Sequence, residues 1–169
     1  IPFAAGNPAP DAFPVAEVQE IAADILKNRP IDALQYGVTE GYPELISLIK
    51  TRMKSKYGIG RDFDSIIITS GAQQVMDLST KVLCNEGDVV ICESPSFIGS
   101  LNCFRSYNAH LVGVPVDADG MNIEALEKAL DENPNAKMIY TIPNFQNPAG
   151  VTMSLEKRHK LYKLAKSHN

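Results

Sequence analysis

The sequence has no tryptophan, few cysteines, no run of one charge and no long apolar stretch. No segment approaches the roughly 20 apolar residues that cross a bilayer, so no transmembrane helix is predicted. Lysine and arginine nowhere cluster and the net charge is −4, so nucleic-acid or membrane-surface binding by this segment is not predicted. The 169 residues are 44% hydrophobic, which is enough for one globular domain with a real core.

The cysteines indicate the cellular compartment of the protein, and the two ends of the sequence indicate whether it is part of a longer chain. Cys84, Cys92 and Cys103 are odd in number and lack metal-site spacing, so we expect free thiols in a reducing, cytoplasmic compartment. The sequence starts at Ile1 without an initiator methionine or a signal peptide, and it stops at Asn169 directly after a helical pattern. Both ends look cut, so a piece of a longer protein is expected.

Short apolar runs alternate with stretches of helical periodicity. Helices are predicted from Val15, from about Leu45 to Gly58, after Gly71, from Ser94 to Tyr107, after Asn122 and after Ser154, with a polar loop around Pro30 and Gly37. The predicted strands are residues 66–69, 89–92, 110–114 and 137–142. This alternation is typical of an α/β fold with a mostly parallel sheet and helices on both faces. Ligands of such sheets bind beyond the carboxyl ends of the strands.

The first predicted strand end is followed by the stretch TSGAQQ and then at once by a helix. Gly71 permits close backbone approach, and the amides after it point out of a helix N-terminus, which favours an anion such as phosphate. Gln73 adds a side-chain donor. A tight turn that uses glycine only for its backbone freedom explains the pattern equally well.

The next two predicted sites are weaker when each is taken alone. Phe97, just past the second strand, could stack on a flat heterocycle, although such a ring is more often part of the core. Asn147 lies in the stretch IPNFQNPAG after the fourth strand, where Asn147-Pro148-Ala149-Gly150 has the pattern of a type I turn. Its amide could bind a ligand or could hydrogen-bond its own turn. Together, an anion cradle, an aromatic plate and a fixed amide suit a planar ligand with a phosphate.

Five stretches in this order resemble the class I/II aminotransferases, which are pyridoxal-phosphate (PLP) enzymes of fold type I. They are FAAGNPAPDAFP, LQYGVTEGYPELISLIK, IIITSGAQQVMDL, ESPSF and IPNFQNPAG, and they cover nearly the whole chain. The sequence is most similar to the 2-aminoadipate and kynurenine aminotransferase subgroup and to the aminotransferase-like domain of MocR-type regulators.

The resemblance implies a role for each matching residue. Gly71, Ala72 and Gln73 would bind the PLP phosphate, Phe97 would stack on the pyridine ring, and Asn147 would donate to the ring 3′-oxygen beside the substrate. Tyr36 would reach the phosphate of the neighbouring subunit, which implies a homodimer, and Gly6 would lie near the substrate carboxylate. Amino acids and 2-oxo acids would be the substrates.

The resemblance also implies what this stretch lacks. The family's aspartate partner of the pyridine nitrogen, its Schiff-base lysine and its carboxylate-binding arginine would all follow Asn169. We therefore expect residues 1–40 to form the N-terminal segment and loop of the family fold and residues 41–169 a partial large domain. No catalytic residue is predicted within the chain, and the chain alone is expected to be inactive. Lys157 is interpreted as a solvated lysine on a surface helix.

Two other functions stay open. The chain could be the effector domain of a MocR/GntR-type transcriptional regulator. It could instead be a nucleotide-binding α/β domain without PLP, but its best glycine motif, Gly58-Ile59-Gly60-Arg61-Asp62-Phe63, precedes a strand and lacks the third glycine. A serine hydrolase is disfavoured because no G-x-S-x-G turn follows a strand.

Overall fold

The computed structural model of the chain describes residues 7–168. Gly6, a predicted substrate contact, therefore lies outside the described residues. Contacts divide the chain between Ile68 and Thr69, and the two units are described separately. The predicted division at residue 40 refers to the domains of a larger fold and stays a prediction.

The first unit is helical. It contains a 3-10 turn and three helices, namely Pro10–Ala12, α1 (Val15–Asn28), α2 (Pro30–Leu34) and α3 (Pro43–Tyr57). Helix α1 follows Pro14 and α3 ends at Gly58, as predicted. Helix α2 corrects the prediction of a loop, because Pro30 occupies the first helical turn, where a missing N–H costs nothing. No side chain of residues 7–68 is buried.

The predicted strand at residues 66–69 is not formed. A strand needs a paired neighbour, and this segment pairs with no strand of residues 7–168. Within the first unit, the Ile68 amide donates to the Glu40 carbonyl at 2.8 Å. The Ile67 side chain is 61% exposed. Residues 66–69 therefore have the apolar composition of a strand but no neighbouring strand among the described residues to pair with.

The second unit, residues 69–168, alternates helices with strands. Its elements are α4 (Gly71–Leu83), β1 (Val89–Ser94), α5 (Ile98–Ser106), β2 (His110–Asp117), β3 (Gly120–Met121), α6 (Ile123–Glu132), β4 (Ala136–Tyr140) and α7 (Leu155–Ser167). Asn122 and Ser154 cap α6 and α7 through their side chains, as predicted. Helix α5 begins at Ile98 and not at Ser94, because β1 continues to Ser94.

The sheet has the order β3-β2-β1-β4. Strand β1 is central and runs parallel to both β2 and β4, whereas the short β3 pairs with β2 antiparallel. Strand β2 extends past its predicted end at Val114 because Pro115 still pairs with Ser94 and Val116 pairs with Met121. The carboxyl ends of β1 and β4 therefore meet at one edge, as the prediction of a mostly parallel sheet requires.

Helices cover both faces of this sheet, and the core has two halves. On one face Val89 and Ile91 of β1 pack with residues of α6 and α7, and on the other Val90 packs with residues of α4 and α5. The larger half consists of Val89, Ile91, Val114, Met121, Leu126, Ala129, Leu130 and Met153. The alternation along β1 is the pattern expected of a strand that is buried on both sides.

All three cysteines are free thiols, as predicted, with Cys92 and Cys103 buried and Cys84 half-buried. Burial raises the pKa of each thiol, so all three are protonated at neutral pH. No described helix has the length and apolarity to cross a membrane.

Candidate active site

Helix α4 begins at the first predicted site residue. Gly71 has φ +76°, in the left-handed region, and nothing lies within 4 Å of where its Cβ would be. The Ser70 side chain does not cap the helix, and the Ser70 backbone amide instead donates to Gln74 Oε1 at 2.5 Å. The turn thus requires a glycine, and the space beside Gly71 is open. The interpretation as a turn that needs glycine is confirmed, and the phosphate-binding role stays a prediction.

Gln73 and Phe97 are brought together at the start of α5. The Gln73 Nε2 donates to the Gly99 carbonyl at 3.0 Å, and a Cβ at Gly99 would lie only 2.6 Å from the Phe97 ring. Only a glycine fits here without displacing the ring. The predicted use of the Gln73 side chain for an anion is thereby modified, because one of its donor hydrogens is already engaged. Phe97 is 36% exposed, so the alternative of a core phenylalanine is wrong.

The loop that carries Asn147 folds differently from the predicted type I turn. The Gly150 amide donates to the Gln146 carbonyl at 2.5 Å, so the turn that closes at Gly150 begins at Gln146, one residue before Asn147. The Asn147–Pro148 peptide is cis. The Asn147 side chain is exposed and makes no hydrogen bond within residues 7–168. The alternative in which this amide bonds its own turn is therefore not observed.

Gln146 takes the internal role instead, and sequence reasoning missed it. Its side chain is 2% exposed, and its Oε1 accepts from the Ala149 amide at 2.7 Å. Its Nε2 donates to the Pro95 carbonyl at 2.9 Å and to Glu93 Oε2 at 3.1 Å. The loop after β4 is thereby hydrogen-bonded to the end of β1 and to the loop that leads to Phe97.

Glu93 is the second missed residue. It is the next-to-last residue of β1, and its buried carboxylate accepts from the Thr141 hydroxyl at 2.7 Å and from the Ile142 amide at 3.0 Å. These bonds explain why β4 stops at Tyr140 and not at the predicted Ile142. Thr141 and Ile142 donate to the Glu93 side chain and not to the backbone of a neighbouring strand. The only available sequence signal was a charged residue inside an otherwise apolar strand.

Arg158 of α7 holds the outer side of the same loop. Its Nη2 donates to the Pro143 carbonyl at 2.9 Å and to Asn144 Oδ1 at 2.7 Å, and its Nε donates to the Met153 carbonyl at 2.9 Å. A guanidinium has five donors in a fixed plane, which suits the bridging of two loop arms. The backbone on either side of Asn147 is therefore fixed at several points.

Lys157 is not the solvated lysine that was predicted. Its side chain is 15% exposed, and its Nζ lies 2.7 Å from both Asp117 Oδ2 and Asp119 Oδ1. Burial lowers the pKa of Lys157, but the hydrogen bonds to the two carboxylates outweigh burial and raise it. A protonated amine in two ion pairs joins α7 to the β2–β3 hairpin and is not a nucleophile.

The remaining predicted contact, Tyr36, belongs to the first unit. It follows α2 and is 99% exposed, so its side chain is directed away from the unit to which it belongs. Residues 7–168 contain no group of histidine, cysteine and acidic side chains that could hold a metal ion.

Comparison with known proteins identifies the family. The family described as aminotransferase class I and II matches residues 1–169. The chain belongs to the class I and II aminotransferase family. A solved structure of Pyrococcus horikoshii kynurenine aminotransferase, in complex with PMP, KYN as substrates and KYA as products, superposes with a TM-score of 0.90 at 38% identity. The superposition covers 98% of this chain and 42% of the kynurenine aminotransferase chain. The fold prediction is confirmed, as is the similarity to the kynurenine aminotransferase subgroup.

Two relatives represent both kinds of protein that the sequence resembles. Aromatic-amino-acid aminotransferase 1 of Thermococcus litoralis is 39% identical over all of this chain and 42% of its own length. The probable rhizopine catabolism regulatory protein MocR of Rhizobium meliloti is 28% identical over all of this chain and 33% of its own length. This aminotransferase-family chain thus spans less than half of each of these relatives.

Proposed function

We propose that the full-length protein containing this chain is a PLP-dependent aminotransferase, which moves an amino group between an amino acid and a 2-oxo acid. One observation carries the proposal. In a chain that matches the family throughout, hydrogen bonds link the segments of Gln73, Phe97 and Asn147 at one edge of the sheet. An anion-accepting helix start, an aromatic face and a free amide are the groups that a phosphorylated pyridine needs.

The start of α4 fits the phosphate of PLP. The space beside Gly71 is open, and the Ser70 side chain does not cap the first-turn amides. Unpaired amides and the positive end of the helix dipole both favour an anion there. In the proposed complex, the backbone amides of Ala72 and Gln73 donate to the phosphate oxygens. The Gln73 side chain, which bonds the Gly99 carbonyl, holds α5 in place beside them.

Phe97 and Asn147 fit the pyridine ring. The partly exposed Phe97 ring is pressed against Gly99, and in the proposed complex its open face stacks on the cofactor. The exposed Asn147 amide donates from Nδ2 to the 3′-oxygen and so holds the electron-rich oxygen in the ring plane. This contact also stabilises negative charge on that oxygen.

When bound, PLP supplies an electron sink for the pair of electrons left as the substrate α-carbon loses its proton. The chain's own residues bind the cofactor and orient it; Lys157, whose amine is held in two ion pairs, is not proposed as a proton carrier. The lysine that moves the proton is proposed to lie outside the chain, and the chain by itself is proposed to be inactive. The proposed division is an N-terminal segment at 1–40 and part of the large domain at 41–169.

The proposed assembly is a homodimer in the cytoplasm. Tyr36 supports the dimer, since an almost fully exposed tyrosine is free to reach the phosphate bound by a second copy. Three free thiols support a reducing compartment.

A second candidate is the effector domain of a transcriptional regulator. The match to the regulatory protein MocR along the entire chain favours it. In that case PLP would bind through the same residues, and a DNA-binding module would precede the chain. Family membership leaves no support for the nucleotide-binding alternative without PLP.

Titration of the purified full-length protein with PLP tests the proposal. We expect a visible absorption band and PLP-dependent transfer of an amino group from an amino acid to a 2-oxo acid. Asn147→Ala is expected to weaken binding about tenfold, the effect of losing roughly 1.4 kcal/mol. The matched control is Asn102→Ala, an exposed change on α5 outside the site. Absence of the band rejects the proposal, and a band without transfer favours the regulator.

A further inference from the structure

The loops that carry Phe97 and Asn147 are far apart in sequence but are joined through one side chain. Gln146, which directly precedes Asn147, donates from Nε2 to the carbonyl of Pro95, two residues before Phe97. The same nitrogen donates to Glu93 at the end of β1. The separation between the two loops is therefore set by hydrogen bonds of defined length and direction, and not by apolar contact alone.

The position of Gln146 calls for an amide in particular. Its nitrogen must donate twice, to Pro95 and Glu93, while its oxygen must accept from Ala149. Glutamate would place a carboxylate against both the Glu93 carboxylate and the Pro95 carbonyl. Methionine would fill the same volume but would leave the Pro95 carbonyl and the Ala149 amide without this partner and would take one of three donors from the buried Glu93, which is costly.

Glu93 completes the arrangement from the strand side. Its two carboxylate oxygens accept from three donors, the Thr141 hydroxyl, the Ile142 amide and Gln146 Nε2. A carboxylate is an acceptor only, and each of these partners is a donor, so the set is complementary. The Glu93 side chain is 2% exposed, and these bonds replace the water that the group gave up. Through Glu93, the end of β1 also fixes the start of the loop after β4.

We propose that Glu93 and Gln146 are positioning residues that hold the aromatic face of Phe97 and the amide of Asn147 at a fixed separation. The inference rests on the proposed function, because it assigns these two groups to one PLP ring. Neither Glu93 nor Gln146 touches the ring. Each acts through the backbone of a loop, Gln146 on both loops and Glu93 on the loop after β4.

The test compares variants of the full-length protein in two measurements. The first is hydrogen exchange of the amides of residues 141–150 without PLP. The second is the affinity for PLP together with the pH at which the visible absorption of bound PLP changes. The variants are Gln146→Met, Glu93→Ala and the conservative Glu93→Gln, whose amide can accept from Ile142 and Gln146 while donating to Thr141. Leu130→Ala, a buried residue of α6, is the control for general loss of stability.

Gln146→Met and Glu93→Ala are expected to speed exchange at residues 141–150 and to weaken PLP binding about tenfold. Both should also move the pH of the absorption change, because the Asn147 donor no longer meets the ring oxygen. Glu93→Gln should retain most of the affinity that Glu93→Ala loses. Leu130→Ala should lower the unfolding temperature and leave the pH of the absorption change in place. Gln146→Asn, with a shorter side chain, replaces Gln146→Met in this comparison should the latter not fold.

Two contrary results are distinguishable. Unchanged exchange, or PLP binding by Gln146→Met equal to that of the parent protein, overturns the positioning role while the proposed function stands. A parent protein that binds no PLP overturns the proposed function. In that case the exchange measurement still decides whether Gln146 and Glu93 fix the loops.

Discussion

At the scale of single residues, the candidate site depends on how closely the Phe97 ring packs against Gly99 as well as on the polar groups that would bind the cofactor. No contact of Gly99 with the cofactor is proposed. Gly99 matters because the Phe97 ring lies where a side chain at residue 99 would be, and because its carbonyl accepts from Gln73. The smallest possible side chain thus sets the position of the aromatic face.

Replacing Gly99 with alanine tests this dependence. The new methyl group would lie 2.6 Å from Phe97 Cε1 and 3.0 Å from Gln73 Oε1, so the ring must move. We expect Gly99→Ala to weaken PLP binding by the full-length protein about tenfold, the size of losing one good ring contact. The measurement is a PLP titration followed by absorption, with Asn102→Ala on the same helix as the control. Equal affinity for Gly99→Ala and the parent would show that the ring position is not critical.

Candidate residues marked by a local signal could be singled out from the sequence, whereas residues whose partners are distant could not. Gly71 and Asn147 stand beside glycine and proline signals within a few positions. Gln146 finds its partners about 50 residues earlier, at Glu93 and Pro95. Lys157 likewise meets Asp117 and Asp119 some 40 residues earlier. No periodicity or turn pattern encodes such pairings, which arise only once the strands lie side by side.

At the scale of elements, Lys157 joins α7 to the β2–β3 hairpin. The hydrogen bond from Lys157 holds the pKa of Asp117 and Asp119 below the ordinary range, with Asn122 adding to the effect at Asp117. A carboxyl group with a lowered pKa stabilises the fold above its unfolded pKa, which is about 3.9 for aspartate. That stabilisation is lost as the pH falls through the lower, folded pKa.

Lys157→Met should therefore lower the unfolding temperature of the full-length protein at pH 7. The difference from the parent should shrink as the pH drops below about 4, where the carboxylates become protonated. Thermal unfolding monitored by circular dichroism at several pH values measures it. Lys160→Met on the same helix is the control, because within residues 7–168 Lys160 pairs with exposed Glu156 alone, across one turn. A pH-independent difference would mean that Lys157 acts through packing and not through its charge.

Elements were predicted best where a signal lies at their own boundary. The caps Asn122 and Ser154 and the stop at Gly58 are local, and all three are confirmed. Residues 66–69 have the composition of a strand, but no neighbouring strand of the described residues pairs with them. The composition of a segment does not show whether a pairing strand is present. Helix α2 was missed because five residues are too few to show periodicity.

At the scale of the whole molecule, the exposed apolar surface of both units is what we expect of part of a larger fold. The first unit exposes an apolar stripe on α1, including Val15, Val18 and Ile21, and none of its described side chains is buried. In the second unit Val82 of α4 is 80% exposed. Apolar surface of this extent is typical of an interface. The family relatives are more than twice as long, and the proposed dimer adds a second copy.

The most direct test is a crystal structure of the full-length protein with PLP. The account predicts one cofactor whose phosphate accepts from the amides of Ala72 and Gln73, whose ring stacks on Phe97 and whose 3′-oxygen accepts from Asn147. Tyr36 of a second copy should reach the same phosphate. PLP bound away from these residues, or a structure in which Phe97 and Asn147 do not contact the same ring, would contradict the account.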